Sequence, residues 1–104
     1  MDAHDINQVV SLFYVTSPME GHTTVLDIET RTMKVEIHKE ELTSKGMSYW
    51  IRTIIGNEAL GVANRFGWVD IQADEFNKIV EIQTTNFDLI IMLDDIERVH
   101  TGQL

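Results

Sequence analysis

Arg31 to His38 reads RTMKVEIH, and its apolar and polar residues alternate: Met33, Val35 and Ile37 on one side, Lys34, Glu36 and His38 on the other. A period of two marks a strand with one buried face. Such a strand cannot stand alone. Its backbone N–H and C=O groups need neighbours, and its apolar side needs a covering layer. His22 to Glu29 (HTTVLDIE) reads as the neighbouring strand, and Thr30-Arg31 between them predicts a tight hairpin. Lying on the polar side, His38 is expected to be exposed.

The rest of the chain divides by its periodicity. Gln8 to Thr16 (QVVSLFYVT) is rich in Val, Phe and Tyr and reads as a strand, against a competing helix from Ile6 capped by Asp5. Ser17-Pro18-Met19-Glu20-Gly21 is a loop. Met47, Trp50, Ile51, Ile54 and Ile55 form one helical stripe, which Thr43 or Ser44 can cap and Gly56-Asn57 can end. A strand from Ser48 to Ile55 is the alternative. Glu58 to Asn64 continues as a short helix that Gly67 breaks. Asp74 can cap another helix through Phe76, Ile79 and Val80, unless a strand starts at Lys78. Phe87 to Leu93 is a strand whose apolar run predicts burial on both faces. Asp94 to Val99 reads as a turn docking Ile96 and Val99, and Thr101 to Leu104 as a fraying end. The fold expected is α+β: residues 1–104 as a single domain, with an antiparallel sheet of about four to five strands and one or two packed helices. A small β-barrel is the alternative if the middle is strand.

Composition narrows the function. The 104 residues contain no cysteine, which excludes disulfide scaffolds, cysteine-based metal centres and thiol catalysis. Met1-Asp2-Ala3-His4-Asp5 has no basic n-region and the longest apolar run is Leu89 to Leu93, so neither a signal peptide nor a membrane span is expected. A cytoplasmic protein is the expectation. The net charge is −9, and it is uneven: −5 over residues 1–30, +2 over 31–65 and −6 over 66–104. Such a chain repels nucleic acid and anionic membranes and attracts basic protein surfaces.

Specific motifs are few. Thr24-Val25-Leu26-Asp27-Ile28-Glu29-Thr30 resembles the first motif of the DnaQ-like 3′–5′ exonucleases, an Asp-x-Glu on a strand. The resemblance implies that Asp27 and Glu29 hold divalent metal for phosphodiester hydrolysis. Asn86-Phe87-Asp88 echoes the second motif. The last motif is missing, since only Thr-Gly-Gln-Leu follows His100. Asp94-Asp95-Ile96-Glu97 lacks the spacing of an EF-hand loop and reads as a solvated turn, as does Glu40-Glu41. His4, His22, His38 and His100 show no metal-binding spacing, no serine sits in a nucleophile elbow, and no phosphate-binding glycine loop is present.

The sequence therefore points to a non-catalytic acidic protein that blocks a basic partner, in the manner of an inhibitor, an immunity protein or a nucleic-acid mimic. No cofactor, metal or catalytic residue is expected. The partner is expected to be a basic, nucleic-acid-handling protein. Its contacts would be Asp70, Asp74, Glu75, Asp88, Asp94, Asp95 and Glu97, with Trp68 as an aromatic anchor. A homo-oligomeric assembly subunit is the alternative, and a nuclease using Asp27 and Glu29 a minor one.

Overall fold

A computed structural model describes residues 1–42, 46–62 and 64–104. The chain begins with α1 (Ala3–Val15) and continues as strands only: β1 (Thr24–Thr30), β2 (Met33–Leu42), β3 (Gly46–Ile55), β4 (Glu58–Val62), β5 (Asp70–Asp74), β6 (Ile79–Gln83), β7 (Asp88–Met92) and, after a 3-10 turn over Leu93–Asp95, β8 (Ile96–Gln103). They form two antiparallel sheets, an open five-stranded one in the order β4-β3-β2-β1-β8 and a three-stranded one in the order β5-β6-β7. The class is α+β as expected, with the sheet open rather than closed into a barrel.

The N-terminal segment is helix, not strand, because Ala3, Ile6, Val10 and Phe13 fall on one helical stripe and all four are buried. Asp2 rather than Asp5 is the N-cap; its side chain accepts from the Asp5 N–H at 2.8 Å. At the other end the ammonium of Lys39, on β2, donates to the carbonyls of Phe13 at 2.6 Å and Tyr14 at 3.0 Å. A buried cation thereby sits at the negative end of the helix dipole.

The middle of the chain reverses the helical expectation. Residues 46–55 pair along their whole length with β2, from Leu42↔Gly46 to Met33↔Ile55. In this register Tyr49, Ile51 and Thr53 share the core face with Val35 and Ile37, while Ser48, Trp50, Arg52 and Ile54 take the other. Gly56-Asn57 ends no helix; it is the two-residue turn of the β3–β4 hairpin, with Gly56 at φ 63°. The expected caps Thr43 and Ser44 lie outside the described residues. Glu58–Val62 is strand β4 rather than helix, and Glu40 and Glu41 lie within β2 rather than in a turn. The β1–β2 hairpin forms as expected, its loop being Arg31-Thr32, with the Thr30 hydroxyl accepting from the Met33 N–H at 3.1 Å.

Asp74 caps a turn instead of a helix. Its carboxylate accepts from the N–H of Phe76 at 2.9 Å and of Asn77 at 3.2 Å, and Phe76 is 93% exposed. Lys78 adopts a left-handed φ of 57° to lead into β6. Of the expected strand Phe87–Leu93, Asp88–Met92 forms β7, but it lies at a sheet edge and is not buried on both faces: Ile90 and Met92, on its outer face, are each 52% exposed. The C-terminus does not fray. Gln103 pairs with Thr24, and the Leu104 N–H donates to the Thr23 carbonyl at 2.9 Å, because β1 needs a partner on its second side.

A single core joins the layers. It takes the helical stripe, Leu26, Ile28, Val35, Ile37 and Ile51 from the large sheet, and Ile71, Ala73, Val80, Ile82 and Ile91 from the small one. Among the described residues no helix is long and apolar enough to cross a membrane.

Candidate functional site

The small sheet turns Ile71, Ala73, Val80, Ile82, Leu89 and Ile91 inward, so the alternate residues face solvent. The register then lines up three rows across β5, β6 and β7: Asp70, Gln83 and Asp88; Gln72, Glu81 and Ile90; and Asp74, Ile79 and Met92. Three of the expected contacts, Asp70, Asp74 and Asp88, thus share one face. Glu81, which the sequence reading passed over, stands at its centre. No position on this face is a lysine or arginine. A hydrogen bond with Asp88, then desolvation, then the negative charge of Asp88, Asp70 and Asp74, pushes the Glu81 carboxyl above its usual range.

The other expected contacts are dispersed. Glu75 accepts from the Ala3 N–H at 2.9 Å and from Lys78 at 2.7 Å, so it ties the start of α1 to the β5–β6 turn; the Lys78 bond lowers its carboxyl. Asp94 and Asp95 are exposed on the 3-10 turn after β7. Glu97 belongs to β8 in the other sheet and faces Arg31 at 3.9 Å. Trp68 is 48% exposed just before β5. Nearby, Phe66 is anchored by paired backbone bonds to Tyr49 and packs edge-on to Phe87 with ring centroids 5.5 Å apart.

A second polar constellation lies on the face of the large sheet opposite the core. One cross-strand row runs His100, Asp27, Glu36, Arg52 over β8, β1, β2 and β3. His100 Nε2 lies 3.0 Å from Asp27 Oδ2. Arg52 donates to Glu36 Oε1 through Nε at 2.9 Å and Nη2 at 2.6 Å, and Lys34 Nζ is 3.3 Å from Oε2. His38, expected to be exposed, is 2% exposed. Its ring stacks on Trp50 at 3.6 Å between centroids and its Nε2 lies 3.1 Å from Glu36 Oε1.

Burial depresses the His38 imidazole despite the Glu36 carboxylate beside it. Neutral His38 then donates from Nε2 to Glu36. Burial raises Glu36, but bonds from His38, Arg52 and Lys34 outweigh it and hold this carboxyl low. Burial raises Asp27. Asp27 and Glu29 share a face as expected for Asp-x-Glu, yet one Asp27 oxygen is taken by His100, and no group of three metal-ligating side chains is assembled among the described residues. Glu36 thus ties β2 to β3 and Asp27 ties β1 to β8, while Asp27 Oδ1, His100 Nδ1 and Trp50 Nε1 are buried on this face without a hydrogen-bond partner among the described residues. Sequence could show that these residues alternate, but not which ones would be opposed.

Comparison with protein-family models, curated proteins and solved structures found no match to this chain.

Proposed function

We propose that this chain is a non-catalytic binding module of the inhibitor, immunity or nucleic-acid-mimic type, presenting the outer face of its small sheet to a basic partner protein. One observation carries the reading. Asp70, Asp74, Glu81 and Asp88 come from three strands to one face without a compensating base on that face, and the Glu81 carboxyl is raised by the others. Like charges on neighbouring strands destabilise a sheet, and a basic surface laid over them turns that repulsion into attraction and speeds encounter. Ile90 and Met92 give the same face an apolar component. An intracellular setting is part of the proposal, in keeping with a cysteine-free sequence.

The test compares the native chain with a variant carrying Asp70→Asn, Asp74→Asn, Glu81→Gln and Asp88→Asn. The tagged native chain is expected to retain a basic protein from lysate at about 0.1 M salt and release it near 1 M, where exposed charges are screened. The variant should retain none. An equal yield with both proteins would sink the reading.

A second reading, self-assembly, is favoured by the half-exposed apolar side chains of edge strand β7. Light scattering over a concentration series tests it, and a monomer throughout removes it.

A further inference from the structure

The small sheet has two edges, and the fold treats them differently. Along β5, α1 supplies a substitute for a neighbouring strand. Tyr14 Oη donates to the Val69 carbonyl at 2.8 Å and accepts from the Ile71 N–H at 3.0 Å. The Asn7 side-chain amide donates to the Ala73 carbonyl and accepts from the Ala73 N–H, both at 2.9 Å. That edge is closed.

Along β7 no described residue does the same. The Phe87 carbonyl accepts from the Thr84 N–H at 2.9 Å and the Leu93 N–H donates to the Lys78 carbonyl at 2.8 Å. Pairs 84–87 and 78–93 therefore mark the hydrogen-bonded positions of the β6–β7 ladder. By the alternation of an antiparallel pair, Asp88, Ile90 and Met92 turn both backbone groups away from β6. At Ile90 and Met92 the edge meets a groove of about 390 Å³ whose far wall is the β1–β2 turn, Thr30 to Met33, where Arg31 pairs with Glu97 at 3.9 Å. Proteins usually blunt such an edge, and β5 shows this fold doing so.

Resting on the reading of the acidic face above, we infer that β7 is the docking edge for an extended basic segment of a partner protein, added as an antiparallel fourth strand. Charge selects the occupant. Partner residues that bond to Asp88, Ile90 and Met92 carry their side chains on the outer face, one of them beside Asp88, with β7 between them and Glu81. Asp95 also lines the groove. A lysine or arginine opposite Asp88 meets that carboxylate directly, and the apolar stems of those opposite Ile90 and Met92 cover these two side chains. A second copy of this chain would instead bring another −9 and its own Asp88.

The probe is a capped peptide of alternating lysine and valine, about ten residues long, spanning the strand with margin. When its lysines face the carboxylates, the lysine N–H groups point at β7 and the valine N–H groups point away. N-methylation at the lysines thus removes the ladder bonds, while N-methylation at the valines spares them at equal charge. In fluorescence anisotropy the unmodified and valine-methylated peptides should bind alike, and the lysine-methylated one about tenfold or more weakly. Ile90→Pro should weaken the unmodified peptide similarly. It removes an N–H that bonds to nothing in the fold and touches no carboxylate, and its thermal unfolding verifies that it is folded.

Equal binding by both methylated peptides overturns strand addition and leaves the acidic-face reading standing. No binding by any peptide at low salt overturns both. A dimer that Ile90→Pro dissolves would assign the edge to a second copy and overturn the basic partner.

Discussion

Lys39 shows how one residue joins a strand to a helix. Its stem runs into the core and its ammonium, 5.0 Å from the centroid of the Phe13 ring, replaces water at the last carbonyls of α1. Burial depresses its pKa, yet the carbonyls and the helix dipole favour the cation. Lys39→Met keeps the stem and removes the donors, and should cost about 1–3 kcal/mol in urea denaturation. Phe13→Ala, at a site with no exposure, should cost about 3–5 kcal/mol. His38 sets a pH dependence. Its folded pKa lies below the ordinary 6.5, so the unfolded chain binds the proton first. The stability it contributes is complete above that value and is lost as pH falls below it. Denaturation midpoints measured from pH 8 to pH 5 should decline in the native chain, and His38→Phe should remove that part of the decline.

At the scale of elements, the small sheet is held from one side only. α1 closes β5 through Asn7 and Tyr14, and burial pushes the Tyr14 hydroxyl up to about 12, so it remains a donor at neutral pH. Asn7→Ala should destabilise the fold by about 1–3 kcal/mol, since it strands the N–H and C=O of Ala73. Hydrogen exchange at the Ala73 amide should accelerate with it. On the open face of the same sheet, Glu81 titrates in the opposite sense to His38. Its folded pKa is above the unfolded value, so its protonation favours the folded state at low pH and that gain disappears as pH rises through the folded pKa. Glu81→Gln imitates the protonated form. It should raise the melting temperature at pH 7 and leave it little changed at pH 4. The elements most open to misreading were the strands over residues 46–62. Their stripe of Met47, Trp50, Ile51, Ile54 and Ile55 fits a helix, but Trp50 and Ile54 face away from the core that Ile51 enters. Apolar residues on both sides of a strand imitate a helical period.

Across the whole molecule, charge and topology decide what the surface offers. The acidic excess falls in part on the outer face of the small sheet, while Arg52 and Lys34 are committed to Glu36 on the other sheet. Raising NaCl from about 0.02 to 0.5 M should screen the small-sheet repulsion and raise the melting temperature. The rise should shrink in the variant with Asp70, Asp74, Glu81 and Asp88 neutralised, as differential scanning calorimetry would show.

Local pattern alone determined the β1–β2 hairpin, because a period of two and a turn are encoded by adjacent residues. Ile96 and Val99 are buried as expected, but from strand β8 rather than from a turn, and the α+β class holds with its helix at residues 3–15 rather than in the middle. Local pattern also determined the acidity of residues 66–104, though not its arrangement. Tertiary structure decided that Asp70, Asp74 and Asp88 meet around Glu81 while Glu97 goes to the other sheet, that His38 is buried against Trp50, and that β7 is an edge. Each of these depends on strand order and register, which are set by contacts between residues far apart in the chain. Thr24 with Gln103 is the plainest case: the C-terminal end looked free to fray until β1 required a second neighbour.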